Sequence, residues 1–442
     1  MARSDGERIL TRKARLELGR DARKRQGRAK LGEIERKRSF DPIEILLAAR
    51  RDRVPRLLPV KYQRMSASPF AFFRGAVSIM AADLGNARHT ALFVQLCGDA
   101  HVQNLGSFEA PDGRIVFDIN DFDETIAGPW EWDVKRMAAS IVLAGQESEH
   151  SASASEEGAA RFVNSYARAI KEMADQPILV AARHQIHRLK KAQATSAALQ
   201  QAERAQPADL VRKYTQTEKG GRIRFRDARP ILWPITGQAK RDVLEALPLY
   251  RDSLPPDRLH LFDFFRPLDV AFKVVGTGSV GLRDYVVLME GNGQHDPLFL
   301  QIKQEVPSAY TPYLKVKQLG QEGRRVVSGQ RKIQPISDLL LGWTRIGEHD
   351  YLVRQLNDHK GSVDIATLRG EGLAELAEIA GELLARGHAR SGDALAIAAY
   401  IGGSDQALDS LVRYGVAYAK ITHEDFAAFQ KAIADERIPI AR

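Results

Sequence analysis

Asp99, His101 and Asn104 lie within one short segment, and Asp121, Asp123 and Glu124 follow after a brief apolar run, Arg114–Phe117. An Asp with an Asn five positions on, then an Asp beyond a turn and a strand, suits phosphoryl transfer. One carboxylate orients or deprotonates a hydroxyl, while the amide and the second carboxylate hold Mg²⁺ against the phosphates of ATP. Hard oxygen donors of this kind favour that ion. The candidate catalytic residues are therefore Asp99, His101, Asn104 and Asp121, with Asn104, Asp121 and Asp123 as candidate Mg²⁺ ligands. Taken alone, the acidic run would be a solvated turn; the Asp-x-His-x-x-Asn segment just upstream argues for chemistry instead.

A second group lies far downstream. Gly276-Thr277-Gly278-Ser279-Val280-Gly281 carries a G-x-G-x-x-G pattern, which by itself is weak. In a dinucleotide-binding fold it would open a helix. Here RDYVVLMEG follows, which reads as a strand, so the glycines sit in a hairpin. Such a hairpin can cover phosphates, because glycine lets backbone N–H groups approach an anion. The apolar run Leu298–Ile302 then ends in Lys303, a candidate phosphate anchor. Gly276, Gly278, Ser279, Gly281 and Lys303 are the candidate nucleotide-binding residues. A helix-borne acid should hold Lys303; Glu322 is the nearest candidate and is not persuasive.

Asp99-Ala100-His101-Val102-Gln103-Asn104 resembles the catalytic loop of aminoglycoside phosphotransferases and choline kinases, and Asp121-Phe122 resembles their metal-binding Asp. Gly128-Pro129 and Asp133-Val134 resemble the Gly-Asp-Pro and Asp-Leu that open the next helix in those enzymes; Asp133 would brace the catalytic loop. Cys97 replaces the His that usually precedes Gly-Asp. With RMSASPFAFFRG at 64–75, GPWEWDVKRMAAS at 128–140 and GTGSVGLRDY at 276–285, the chain is similar to the bacterial family called domain of unknown function 2252 over most of residues 50–420. The resemblance implies a protein-kinase-like fold and leaves the acceptor open. In ordinary kinases the glycine hairpin and lysine precede the catalytic loop. Here they follow it, so the chain would be circularly permuted.

These groups need elements to position them. Asp41-Pro42 predicts a helix start, and residues 68–85 one apolar helix. Strands are expected at 91–97 and 114–119, a helix from Trp130 to Gln146, and helices at about 156–173 and 178–205. Strands follow at 270–275, 285–290 and 297–304, then a helix near 320–335 and strands at 338–345 and 351–356. The C-terminus reads as helices at 366–387, 393–401, 404–419 and 423–434. The fold class is therefore α+β. The expected parts are a basic extension (1–40), a helical catalytic region (41–250), a β-rich nucleotide region (251–362) and C-terminal helices (363–442) returning to the first. The helical stretch 150–250 is expected to wall the acceptor pocket. His388-Ala389-Arg390-Ser391-Gly392-Asp393 is a rival catalytic loop, but no Asn lies five residues past Asp393, which is expected to cap a helix instead.

Composition limits the rest. Of the net charge of +9, residues 1–40 carry +8. The basic character therefore belongs to a segment, expected to be a solvated helix or disordered, that serves solubility or, alternatively, contacts an anionic partner. No aromatic residue precedes Phe40, so base stacking is unsupported. The single cysteine fits a reducing, cytoplasmic setting, and Cys97 sits in an apolar run that suggests a core residue. No signal-peptide pattern or membrane-spanning run is visible. The expected activity is ATP- and Mg²⁺-dependent phosphate transfer to a hydroxyl of a small acceptor. A nucleotide-binding scaffold and an AMP transferase are the alternatives.

Overall fold

Sixteen consecutive residues of the Trp130–Glu147 helix, Trp130 to Gly145, are buried, so it is a core helix rather than a surface one. It packs against helices Ala152–Asp175 and Gln406–Ala434. The computed structural model describes residues 10–441 except 38, 51, 184–192, 206, 220, 275–277, 279, 294, 317–318 and 357–359. Among them, no helix is long and apolar enough to cross a membrane.

The architecture is α+β. One antiparallel sheet has six strands in the order Gly342–Ile346, His349–Gln355, Pro297–Glu305, Asp284–Glu290, Arg266–Lys273 and Leu232–Pro234. Alternation along Pro297–Glu305 sends Leu298, Leu300 and Ile302 into one apolar cluster and Phe299 into another on the opposite face. Gln301, Lys303 and Glu305 share the Phe299 face, so this strand carries a polar end toward the helical region. Helix Glu322–Ile333 links the third long strand to the pair 342–346 and 349–355. Tyr214 and Phe225 pack with one sheet face, Val243 and Tyr250 with the other. Residues of the segment between 214 and 250 thus side with the sheet, within a stretch expected to belong to the helical region.

The helical region has its own large core, which also includes the small sheet elements around Asp99. Phe93–Leu96 pairs with Ile126–Pro129, and Leu105–Glu109 pairs with both Ile115–Ile119 and Lys360–Ser362.

Several expected elements change. The apolar run 68–85 is two helices, Pro69–Gly75 and Val77–Asn86, because Ala76 leaves helical geometry (φ −118°, ψ 37°). The break frees the Gly75 carbonyl, which accepts from the Lys61 ammonium at 3.2 Å. The last two of the expected C-terminal helices, 404–419 and 423–434, are one, Gln406–Ala434. The basic segment is not free: helix Arg12–Arg25 lies against Ala394–Ile401. Arg23 donates to the carbonyls of Ala399 and Tyr400, and Arg28 to that of Ile401. These are last-turn carbonyls that a helix leaves without internal partners. Arg36 bridges the buried carboxylates of Asp83 and Asp425.

Candidate active site

The segment from Cys97 to Asn104 is braced from one face of the Trp130–Glu147 helix. Asp133, Arg136 and Ser140 recur at intervals of three and four, so they stack on that face. The Asp133 carboxylate accepts from the Cys97 N–H at 2.8 Å and the Gly98 N–H at 3.0 Å. Ser140 Oγ accepts from the Val102 N–H at 3.0 Å. Arg136, with no exposure, donates through Nε (2.8 Å) and Nη2 to Asp99 Oδ1. His101 Nε2 lies 3.5 Å from Asp99 Oδ2. Gly98 has a φ of +86°, and a Cβ there would come within 2.2 Å of the Glu124 carbonyl oxygen. Only glycine fits that position.

Burial opposes charge on Asp99, but Arg136 and His101 overcome it and hold the carboxyl below the usual carboxylate range. Burial lowers the His101 imidazole despite the Asp99 charge, so the ring favours its neutral form. Burial raises the Cys97 thiol, which makes it an inert core residue as expected.

Asn104 and Asp121 leave the same end of one hairpin. Leu105 faces Ile119 across the ladder, and the Asn120 N–H donates to the Asn104 carbonyl at 3.0 Å. Asn104 Nδ2 donates to the Asp99 carbonyl at 2.8 Å, which leaves its amide oxygen without a partner among the described residues. The Asp121 side chain keeps 39% of its surface exposed. Protein on its other sides, together with the Asp123 charge, raises its carboxyl above the ordinary range.

From the sheet, Lys303 reaches this acidic turn. Its ammonium donates to both carboxylate oxygens of Asp123, one at 2.6 Å, and lies 3.7 Å from Asp121. Burial would discharge the lysine; Asp121 and Asp123 more than offset that and keep it charged. The expected helix-borne acid does not serve. Glu322 pairs with Arg325, whose guanidinium donates to the Thr125, Asp123 and Val306 carbonyls. The acid on Lys303 is Asp123. Beside Lys303, Glu305 is pushed well above its usual range by burial. Asp284, opposite Lys303 across the ladder, rises to about 6 for the same reason and accepts from Gln301 Nε2 at 2.6 Å.

Gly276 and Ser279 lie outside the described residues. Gly281 has a φ of +97°, and its carbonyl accepts from the Val54 N–H at 2.6 Å. The Gly278 carbonyl accepts from Lys61 Nζ at 3.3 Å. The glycine segment therefore touches the helical region as well as the sheet. The rival loop is structural: Asp393 caps the Ala394–Ile401 helix through the Ala396 N–H and binds Arg15. His388 is buried, 3.3 Å from Asp133 and 2.8 Å from the Tyr166 hydroxyl.

Among the described residues, no three His, Cys, Asp or Glu gather as a metal cluster. The Asn104 amide oxygen and the open Asp121 carboxylate still suit a hard divalent cation whose remaining ligands come from phosphate and water. Asp123 is engaged by Lys303 and is less available for that role. Sequence reasoning missed Arg136, although its interval from Asp133 was visible. It also passed over Arg74, which lies inside a quoted motif, with its Nε buried and unpartnered and the charges of Asp99 and Asp121 nearby.

These features define an α+β protein in which a lysine–carboxylate cluster joins an antiparallel sheet to a helical region. The chain belongs to the family described as uncharacterized protein conserved in bacteria (DUF2252), which matches residues 53–432. No curated protein and no solved structure matches it.

Proposed function

We propose that the protein is an ATP- and Mg²⁺-dependent phosphotransferase acting on a hydroxyl of a small acceptor, built as a two-lobed, circularly permuted protein-kinase-like fold. The observation that carries this reading is Lys303 reaching from the sheet to Asp123 and Asp121, which leave the same hairpin end as Asn104. The sheet supports it. A glycine segment joins its first two long strands, the third carries the lysine, and a helix follows. That is the order of parts in a kinase nucleotide lobe. The interlocked terminal helices are what a permuted chain requires.

In this reading the acceptor oxygen bonds to the γ-phosphorus as the bond to the β-phosphate oxygen breaks, and ADP leaves. Asp99 orients the hydroxyl. Its depressed affinity for protons makes it a positioning anion that takes the proton late. Lys303 would turn from Asp123 toward the α- and β-phosphates, with Gly278 and Gly281 beside them. Held by Asn104 and Asp121, Mg²⁺ would neutralise the charge of the transferred group. The saturation of Lys303 by Asp123 favours a second reading, a weakly active or inactive nucleotide-binding scaffold.

Calorimetry of ATP binding with and without Mg²⁺ tests the proposal. Wild type should bind with Mg²⁺, and Asp121→Asn should lose that binding. Asp99→Asn should keep binding and lose about 10²-fold or more of turnover. Absence of ATP binding in the wild type would remove both readings.

A further inference from the structure

A cavity of about 510 Å³ opens between helices Pro42–Ala48 and Leu58–Met65, the start of Val77–Asn86 and the loop 306–313. This is the size of a small-molecule site. Its walls combine apolar Leu46 and Leu58 with the cations Arg50, Arg53 and Lys61 and the acids Asp52 and Glu124. Lys61 is the unusual member. It is 5% exposed, and its ammonium has two carbonyl partners, Gly75 at 3.2 Å and Gly278 at 3.3 Å. An ammonium has three donors, so one remains.

No carboxylate pairs with Lys61 among the described residues. Burial without a counter-ion pushes the Lys61 ammonium well below its ordinary range, so an anion seated beside it would restore the charge. Glu124 lines the same cavity without pairing with Lys61 among the described residues: it accepts from the Ala309 N–H at 2.7 Å, and burial raises its carboxyl. Arg53 adds a second cation, donating to the Val280 carbonyl.

The cavity borders the chemistry. Glu124 directly follows the acidic turn, and Gly75 follows Arg74. The stretch expected to wall the acceptor pocket lies elsewhere. Helix Ala152–Asp175 packs on Gly372–Ser391, and residues between 207 and 262 pack on the sheet.

We propose that this cavity is the acceptor subsite and that it selects acceptors bearing an anionic group, phosphate or carboxylate, seated on Lys61 and Arg53 with the apolar part against Leu46 and Leu58. The acceptor role rests on the phosphotransferase reading; the anion site does not.

The test is calorimetry on the full chain with inorganic phosphate and, separately, acetate at constant ionic strength. One of them should bind wild type, and which one names the anion. Lys61→Met and Arg53→Gln should each weaken binding by about tenfold or more, the loss of one charge-assisted hydrogen bond. Asp121→Asn should leave it unchanged. Binding should persist with Mg²⁺ and a non-hydrolysable ATP analogue present. No binding of either anion, unchanged binding in both cavity variants, or displacement by the analogue would each overturn the proposal. Should Lys61→Met not fold, ¹⁵N-lysine NMR of wild type replaces it: an amine resonance that shifts with the anion, and is unmoved in Arg53→Gln, is the expected result, and no shifting resonance refutes it. Loss of ATP binding with anion binding intact would overturn the phosphotransferase reading alone.

Discussion

Arg136 decides what Asp99 can do. A fully buried guanidinium on one carboxylate oxygen makes a fixed anion, better at aligning a hydroxyl than at removing its proton. Removing the guanidinium would strand that charge in the protein. Arg136→Gln should cost about 3 kcal/mol of stability, the usual scale for breaking a buried pair from one side, measured by urea denaturation; an unchanged midpoint would mean the pair contributes nothing. The pH signs follow. Folded Asp99 holds its proton more weakly than the unfolded chain does, so its contribution is complete at neutral pH and lost as pH falls below the ordinary carboxylate range. Asp284 works in the other direction. With its carboxyl raised to about 6, its buried charge destabilises at neutral pH, and the penalty fades as pH falls through that value. Asp284→Asn should therefore be more stable than wild type at about pH 7.5, with the gap closing near pH 5. Urea midpoints at both pH values check this; a gap independent of pH would contradict it.

At the scale of elements, one helix face holds the whole loop. Asp133 secures two N–H groups and Ser140 a third. Asp133→Ala should destabilise by about 2–3 kcal/mol, the scale of losing charged hydrogen bonds to buried donors. It should also speed hydrogen exchange at Cys97 and Gly98 before other core amides; uniform acceleration would show a global effect instead. The Asp133 brace was legible through the resemblance of Asp133-Val134 to the Asp-Leu that opens the corresponding helix in aminoglycoside phosphotransferases and choline kinases. The strand Leu105–Glu109 was not. Its sequence LGSFE has weak strand preference, and it forms because partners flank it on both sides. The acid on Lys303 was equally hidden. A helix Glu was expected from local order, whereas Asp123 arrives from 180 positions earlier, and intervals along a chain say nothing of such a meeting.

Over the whole molecule, the two ends of the chain close the helical region together. The basic segment looked dispensable because charge runs without apolar residues usually stay in water. Its arginines instead find fixed acceptors: the carbonyls ending Ala394–Ile401, and the two carboxylates of Asp83 and Asp425 that Arg36 bridges. Asp83 also accepts from the Tyr418 hydroxyl at 2.7 Å, so one buried cluster joins the segment before the first motif to helices Val77–Asn86 and Gln406–Ala434. Without Arg36, two acids would face each other inside the protein. Deleting residues 1–37 should lower the melting temperature by about 5 °C or more, since a loss of a few kcal/mol moves a chain of this size by several degrees. Arg36→Ala in the full chain should reproduce most of that drop, and Arg36→Ala combined with Asp83→Asn should recover part of it by removing the stranded charge. A deletion that melts with the wild type would return the segment to a purely solvated role. A deletion effect that Arg36→Ala does not share would place its weight on the Ala394–Ile401 carbonyls instead.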